Sequence, residues 1–336
     1  MNILVTGITG FVGSRLAPRL ERDGHSVRGF SRRLPAATPH EPPAAPAYEP
    51  PDAPADARRD APPTVPVFTG DAVSGEGLAE ALRDIDVAYF LIHSMEPVPG
   101  AASADGVAGA FGARERRAAE NFAGAANEAG VSRVIYLGGL VPAGGPASAH
   151  LVSRLAVEEI LLSATPCSVA FRASIVIGAE SRSFRFLVRL VERLPVLAVP
   201  AWSTHVTTPI DERDVIEMLA RAATRDEVCG QSLDLGGPDT VTYGELIGRI
   251  GDHMLLARPT IAFKRLTLTP IASRVSALIA GERHELIGPL MESLEQDLLP
   301  RDSRAVELLD VRLHSLDAAI EHALREWETT ERLAAR

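Results

Sequence analysis

The chain has very little cysteine, few aromatic residues and no long uncharged run. Each shortage removes a class of protein. Its two cysteines, Cys167 and Cys229, lie far apart and in no ligand-like spacing. Neither a disulfide framework nor a zinc site is expected, and a reducing cytoplasm is the natural compartment. No apolar stretch reaches the length of a membrane span. The opening residues, Met1-Asn2-Ile3-Leu4-Val5, lead straight into a strand pattern without the basic region and cleavage site of an export signal. Basic residues are outnumbered as well. A net charge of −10 argues against nucleic acid, because phosphate binding needs a concentrated basic face. A small molecule is the expected kind of partner, and oligomeric state is not readable.

What is present is a regular alternation of strand and helix over the first half of 336 residues. Apolar runs at Asn2 to Thr6, His25 to Ser31, Val67 to Thr69, Asp86 to Ile92, Arg133 to Leu137 and Val169 to Ile177 read as strands. Helical spacing separates them at Phe11 to Arg22, Gly77 to Arg83, Gly109 to Ala129 and Ser148 to Leu162. That order predicts an α/β fold, a doubly wound parallel Rossmann sheet. One segment breaks the pattern. Leu34 to Pro66 holds 11 of the 25 prolines. It cannot bury enough apolar surface to offset its ordering entropy, so a disordered insert is expected there. The predicted organisation is a dinucleotide-binding domain over residues 1–180, completed by segments of 205–236. A smaller, mostly helical C-terminal lobe takes 181–204 and 237–336. Within it, Phe184 to Arg193, Tyr243 to Met254 and Ser315 to Leu333 have helical spacing, Asp211 to Ala223 adds a further helix, and Leu233 to Leu235 is a candidate edge strand.

The sharpest motif is Thr6-Gly7-Ile8-Thr9-Gly10-Phe11-Val12-Gly13, because it closes the first strand and opens the first helix. There Gly7 permits a tight turn, Gly10 clears the approach to a pyrophosphate, and Gly13 lets helix and strand pack closely. An NAD site usually carries an acid at the end of the second strand. Here Ser31-Arg32-Arg33 follows it, and Arg28 lies in the strand. A guanidinium can fork onto a 2′-phosphate that a carboxylate would repel, so NADP(H) is the expected cofactor. Asp71, past the third strand, is placed either to face the adenine or to cap the next helix.

With the glycine loop, Val87 to Ile92 and Arg172 to Gly178 in hand, the chain resembles the extended and atypical short-chain dehydrogenase/reductases. It looks closest to their NAD(P)H-binding branch that includes NmrA-like regulators and quinone-reductase-like proteins. The resemblance covers roughly residues 1 to 250, judged by the ordered run of motifs. It implies that Ile92-His93-Ser94 and Gly138-Gly139 lie beside the nicotinamide ribose and that Met95 faces the substrate, while Trp202 is placed either to face the substrate or to lie buried in the core. It also implies a serine after the fifth strand and a Tyr-x-x-x-Lys pair on the next helix. This chain has Gly138-Gly139 and His150-x-x-x-Arg154 at those places.

The i, i+4 spacing puts His150 and Arg154 on one helical face. His150 could donate a proton near neutral pH, or only position the cofactor. Arg154 could hold a ribose or phosphate but stays charged. Glu115, Arg116 and Arg117 on the long helix read as a solvated face. The resemblance also makes Asp214 an anchor for its helix. The leading expectation is NADPH-dependent reduction of a small carbonyl, enone or quinone-like acceptor. The alternative is a catalytically silent NAD(P)H-binding sensor or accessory subunit.

Overall fold

A computed structural model describes residues 1–32, 65–92, 104–145, 149–193, 197–199, 201–256, 260–262, 296–331 and 333. Seven parallel strands form its central sheet in the order β11-β6-β5-β4-β1-β2-β3. They are β1 (Asn2–Thr6), β2 (Ser26–Ser31), β3 (Val67–Thr69), β4 (Val87–Phe90), β5 (Arg133–Gly139), β6 (Val169–Ala173) and β11 (Ser232–Leu235). Both faces of the sheet are covered, so its strands are apolar on both sides. Along β1, Ile3 and Val5 enter one core and Leu4 the other. Along β5, Ile135 and Leu137 take one side while Val134 and Tyr136 take the other. This is the period of two expected of a pleated strand between two helical layers.

The first layer contains α1 (Phe11–Arg22), α6 (Glu212–Ala222) and α8 (Arg304–Leu309). The second contains α2 (Leu78–Ala81), α3 (Ala104–Glu128) and α4 (Ala149–Leu162). A third core is built by α5 (Arg182–Arg193), α7 (Tyr243–His253) and α9 (Leu316–Thr330). Short pairs connect these parts: β7 (Val176–Ile177) with β10 (Ile210–Asp211), β9 (Val206–Thr207) with β12 (Val241–Thr242), and β8 (Leu197–Val199) with β13 (Thr260–Ala262). The expected strand from Val169 to Ile177 is thus two strands, β6 staying in the main sheet and β7 leaving it for β10.

Local chemistry sets the helix starts. The Asp211 carboxylate accepts from the Arg213 amide at 2.8 Å and caps α6. Thr242 and Glu245 form a reciprocal capping box at α7, and Ser315 caps α9. Asp214, buried in α6, accepts from the backbone and ring of His314 at 2.8 and 2.6 Å, tying the approach to α9 onto the Rossmann layer. Burial is the main influence raising the Asp214 pKa, against the bonds from His314.

Three expectations change. Val65 is buried in the core and the Pro66 carbonyl accepts from the Gly29 amide at 2.9 Å. The Pro-rich insert therefore ends earlier than its composition suggests, and the rest of it lies outside the described residues. Cys167 and Cys229, expected to be free, form a disulfide with Cα atoms 4.3 Å apart. Sequence separation hid this. Because Ala170 pairs with Ser232, the residues three positions before each are neighbours. Finally, Arg28 donates to the Arg83 carbonyl at 2.8 Å and stacks over Phe68, which commits it to the sheet edge. Among the described residues no helix is long and apolar enough to cross a membrane.

The fully buried Trp327 joins the third core together: guanidinium groups of Arg185 and Arg189 lie 4.5 and 5.0 Å from its ring. Trp327→Ala should cost about 3–5 kcal/mol in urea unfolding. A cost below about 1 kcal/mol would mean that α9 does not dock as described.

Candidate functional site

The glycine loop sits where β1 meets α1, at the carboxyl end of the central strands. Gly7 has a φ of +66°, a conformation costly for any residue with a Cβ, and a Cβ there would lie 2.8 Å from the Leu91 carbonyl oxygen. At Gly13 a Cβ would stand 2.3 Å from the Gly7 carbonyl oxygen. Gly10 is different: its missing Cβ would meet only the Gly7 carbonyl oxygen, at 3.1 Å. Gly7 and Gly13 are thus demanded by packing, and Gly10 keeps the outer face of the turn clear. Gly10 is also the N-cap of α1. It offers no side chain to the helix amides, and the first turn has no acid. The amides of Phe11, Val12 and Gly13 have no intrahelical acceptor and lie at the positive end of the helix dipole.

Thr6 lies beneath this loop rather than on it. Its fully buried hydroxyl donates to the Tyr89 carbonyl at 3.0 Å and accepts from the Leu91 amide at 3.1 Å. These bonds commit the Thr6 hydroxyl to backbone groups and lock β1 to β4. Thr9 is exposed, while Phe11 and Val12 are half-buried at the helix start.

The end of β2 adjoins the loop, since the Gly7 amide donates to the Phe30 carbonyl at 3.3 Å. Ser31 follows at once and is half-buried; Arg32 is exposed. Arg33 lies outside the described residues. Asp71 does not cap the helix that follows, whose N-cap is Gly77 without a side-chain bond; its carboxylate instead accepts from the Val73 amide at 2.8 Å and closes the turn ahead of it.

Where the resemblance implies a serine and a Tyr-x-x-x-Lys pair, the structure has a different arrangement. A Cβ on Gly138 would lie 2.9 Å from the Tyr136 ring and 3.1 Å from its hydroxyl oxygen. No serine fits at 138 unless Tyr136 moves, whereas Gly139 has no comparable neighbour. Arg154 is turned inward. It is buried with Glu115, its Nη2 3.4 Å from Glu115 Oε1, and its charge acts on the Tyr136 hydroxyl. Burial pushes the Tyr136 phenol up, and Arg154 works against that shift. Phe90, Ile92, Glu115, Ala118, Arg154 and Val157 close around this pair too tightly to admit a water molecule.

Glu115 is therefore no part of a solvated face. It also accepts from the Ser153 hydroxyl at 3.2 Å, whereas Arg116 is exposed and pairs along its own helix with Glu120. The signal for this was helical spacing: Glu115 lies on the same stripe as the buried Ala118, Ala119, Phe122 and Ala126. His150 has its backbone in the first turn of α4, and its side chain lies outside the described residues. His93, Ser94 and Met95 lie outside them altogether.

Of the two places open to Trp202 it takes the core, where its ring lies edge-on to Tyr243. A second unanticipated cluster backs the glycine loop. Arg15, one helical turn after Phe11, stacks over the Phe11 ring and pairs with Glu180, Glu212 and Glu326 at 3.0, 3.2 and 2.8 Å. Glu212, His322 and Glu326 converge closely enough to hold a cation. The Arg15 guanidinium already supplies that positive charge. Burial first, then the Glu212 carboxylate, raises the Glu326 pKa against Arg15 and His322.

The family model "NAD dependent epimerase/dehydratase family" matches residues 3–192, more than half of the chain. A 3-beta-hydroxysteroid dehydrogenase from Mycolicibacterium neoaurum is 28% identical over 134 residues, which span 40% of this chain and 31% of that protein. Among solved structures, gox2253 aligns over 97% of both chains with a TM-score of 0.68 at 21% identity. The UDP-glucuronic acid 4-epimerase of Bacillus cereus, solved with NAD, aligns over 98% of this chain and 97% of its own, with a TM-score of 0.67 at 17% identity. At such identities the structures speak for the fold alone.

Three substitutions test the electrostatics of the site. Glu115→Leu leaves Arg154 buried beside an apolar group and should cost about 3–5 kcal/mol. The Glu115→Leu, Arg154→Met double variant should recover most of that loss in urea unfolding; a double variant as unstable as the single one would refute the pairing. Glu326→Gln mimics the protonated carboxyl. Because the folded pKa of Glu326 is raised, its charged form opposes folding above the unfolded value of about 4.3. The variant should thus melt higher than the parent at pH 7 to 8, with the gap closing as pH falls towards about 4. A gap that is independent of pH would show that Glu326 is not opposed by Glu212.

Proposed function

The chain belongs to the NAD dependent epimerase/dehydratase family, and from that premise we propose that it is an NADPH-dependent oxidoreductase acting on a small carbonyl, enone or quinone-like acceptor. The observation that carries this reading is the uncapped start of α1, with no side chain at Gly10 and Ser31-Arg32 one strand away. A pyrophosphate suits the amides of Phe11, Val12 and Gly13, since it would satisfy orphan donors at the positive end of a helix. Arg32 and Arg33 would take the 2′-phosphate. The nicotinamide would lie over the ends of β4 and β5, near Ile92, His93, Ser94, Gly138 and Gly139. The acceptor would bind between the dinucleotide-binding part, residues 1–180 with 205–236, and the lobe of 181–204 and 237–336.

A bound dinucleotide supplies the hydride, so the protein's share is placement and one proton. His150 is the group in the tyrosine's place able to give that proton. Arg154, paired with Glu115, serves as a scaffold for α4. Conjugated acceptors spread the incoming charge and need less help from a protein acid than a simple ketone does. That suits a site without the Tyr-x-x-x-Lys pair. Sugar-nucleotide epimerisation is disfavoured for the same reason.

The inward turn of Arg154 also favours a second reading, a silent NAD(P)H-binding sensor or accessory subunit. His150→Phe separates the two. It should reduce turnover across an acceptor panel by about two to four orders of magnitude, with cofactor affinity held within a few-fold. No turnover by the parent with any acceptor, together with tight NADPH binding, would select the silent reading.

The cofactor assignment has its own test. NADPH and NADH differ only at the 2′-phosphate, and a charge-assisted hydrogen bond contributes roughly 1.5–3 kcal/mol. The Arg32→Ala, Arg33→Ala double variant should lose about ten- to a hundredfold in NADPH affinity and leave NADH nearly unchanged by calorimetry. Raised salt should erode the preference. Equal affinities in the unmodified protein would overturn the NADP(H) assignment.

A further inference from the structure

The Cys167–Cys229 disulfide lies at the opposite end of the sheet from the glycine loop, where the chain enters β6 and β11. Both cysteines are half-buried and neither is sealed in the core. Against them lies Arg133, the first residue of β5, which is only 5% exposed. Its Nε donates to Cys167 Sγ at 3.1 Å and one Nη to Cys229 Sγ at 3.5 Å. The same guanidinium donates to the Ala222 carbonyl and to Asp226, both at 2.5 Å. Asp226 is the carboxylate paired with it, and its side chain is 91% exposed to water. Arg225 and Glu227 beside it are exposed, and the Tyr89 phenol is within electrostatic reach of Arg133.

A disulfide sulfur is a poor acceptor and draws little from a buried cation. A thiolate at the same place would draw far more, through a charge-assisted hydrogen bond with its partner already in position. The arrangement therefore stabilises the reduced, ionised pair more than the oxidised one. A disulfide serving only as a staple has no need of such a neighbour.

We propose that Cys167 and Cys229 form a thiol–disulfide exchange site for small-molecule disulfides and thiols, with Arg133 holding the thiolate. In the closing direction, the cysteine thiolate attacks one sulfur of an external disulfide. A mixed disulfide forms, and the other sulfur leaves with the electron pair and takes a proton from water. The second cysteine gives up its proton and attacks the mixed disulfide. The internal bond closes and a second small thiol is released. Two electrons pass from the cysteine pair to the external disulfide, which is reduced to two thiols. Opening is the reverse, driven by excess thiol. The nicotinamide chemistry proposed above plays no part in it.

The experiment uses the full chain, reduced with dithiothreitol, freed of reductant and alkylated with iodoacetamide across a pH series. Peptide mass spectrometry reads each cysteine. One cysteine should react with a pH midpoint at least one unit below the 8.5 of a free thiol. Oxidised glutathione should reclose the bond in the folded protein, through a glutathione adduct on that cysteine. Arg133→Gln should return the midpoint to about 8.5, and Arg133→Lys should keep most of the depression. Should changes at Arg133 prevent folding, Asp226→Asn at the exposed partner serves instead. It leaves the guanidinium less neutralised and should lower the midpoint further. Midpoints at or above 8.5 in the parent, a bond that glutathione closes only after unfolding, or an Asp226→Asn midpoint that does not move would each overturn the proposal.

Discussion

How closely α1 can approach β1 and β4 governs most of what lies at the carboxyl end of the sheet. The loop between them must reverse in a few residues, seat against the Leu91 carbonyl and let a helix pass within contact of the turn it has just left. Gly7 and Gly13 meet those demands because a Cβ at either would overlap backbone. Only once they are met does Gly10 become the open cap of a helix aimed over the strand ends. Thr6 completes the support from below by bridging β1 to β4 with its hydroxyl. The open start of α1 thus follows from packing. The helix must start there, and it starts without a side-chain cap.

Charged groups do the joining where apolar packing changes hands between layers. Arg172 forks onto Glu158 at 2.8 and 2.6 Å, linking β6 to α4, and Arg301 grips Asp234 of the edge strand β11. Arg15 connects α1 to α6 through Glu212, to α9 through Glu326 and to the turn before α5 through Glu180, and Asp214 holds the segment before α9 through His314. Buried pairs of this kind add little net stability, because desolvation offsets most of the attraction. What they do add is register. Losing one partner strands the other in the interior, so competing arrangements of the lobe against the sheet are disfavoured more than the native one is favoured.

The sheet, its helices and the glycine loop were legible because each depends on local periodicity or on one short motif in its proper place. The limits were equally physical. Residues 15, 180, 212, 322 and 326 carry charges whose meeting depends on how three layers close, and no spacing along the chain encodes that. The disulfide was hidden until β6 and β11 were known to pair in the register of Ala170 with Ser232. Glu115 stood on a readable stripe, but its charge suggested solvent, and only the arginine across from it on α4 explains its burial. Trp202 was open to core or cleft from its sequence alone, and only its packing against Tyr243 decides for the core.

Gly138, Arg154 and the residues around them form one connected arrangement. A lysine at 154 could neutralise or withdraw, whereas an arginine keeps its charge and needs a carboxylate when buried. Glu115 meets that need from α3, and the pair draws the Tyr136 hydroxyl into its field. With Tyr136 held there, the next same-face position on β5 has no room for a Cβ, which is why Gly138 is a glycine. Gly138 and Arg154 thus belong to a single packing arrangement around a buried ion pair. A Cβ at 138 would displace the Tyr136 ring and with it the contact to Arg154, whereas position 139 has room for one.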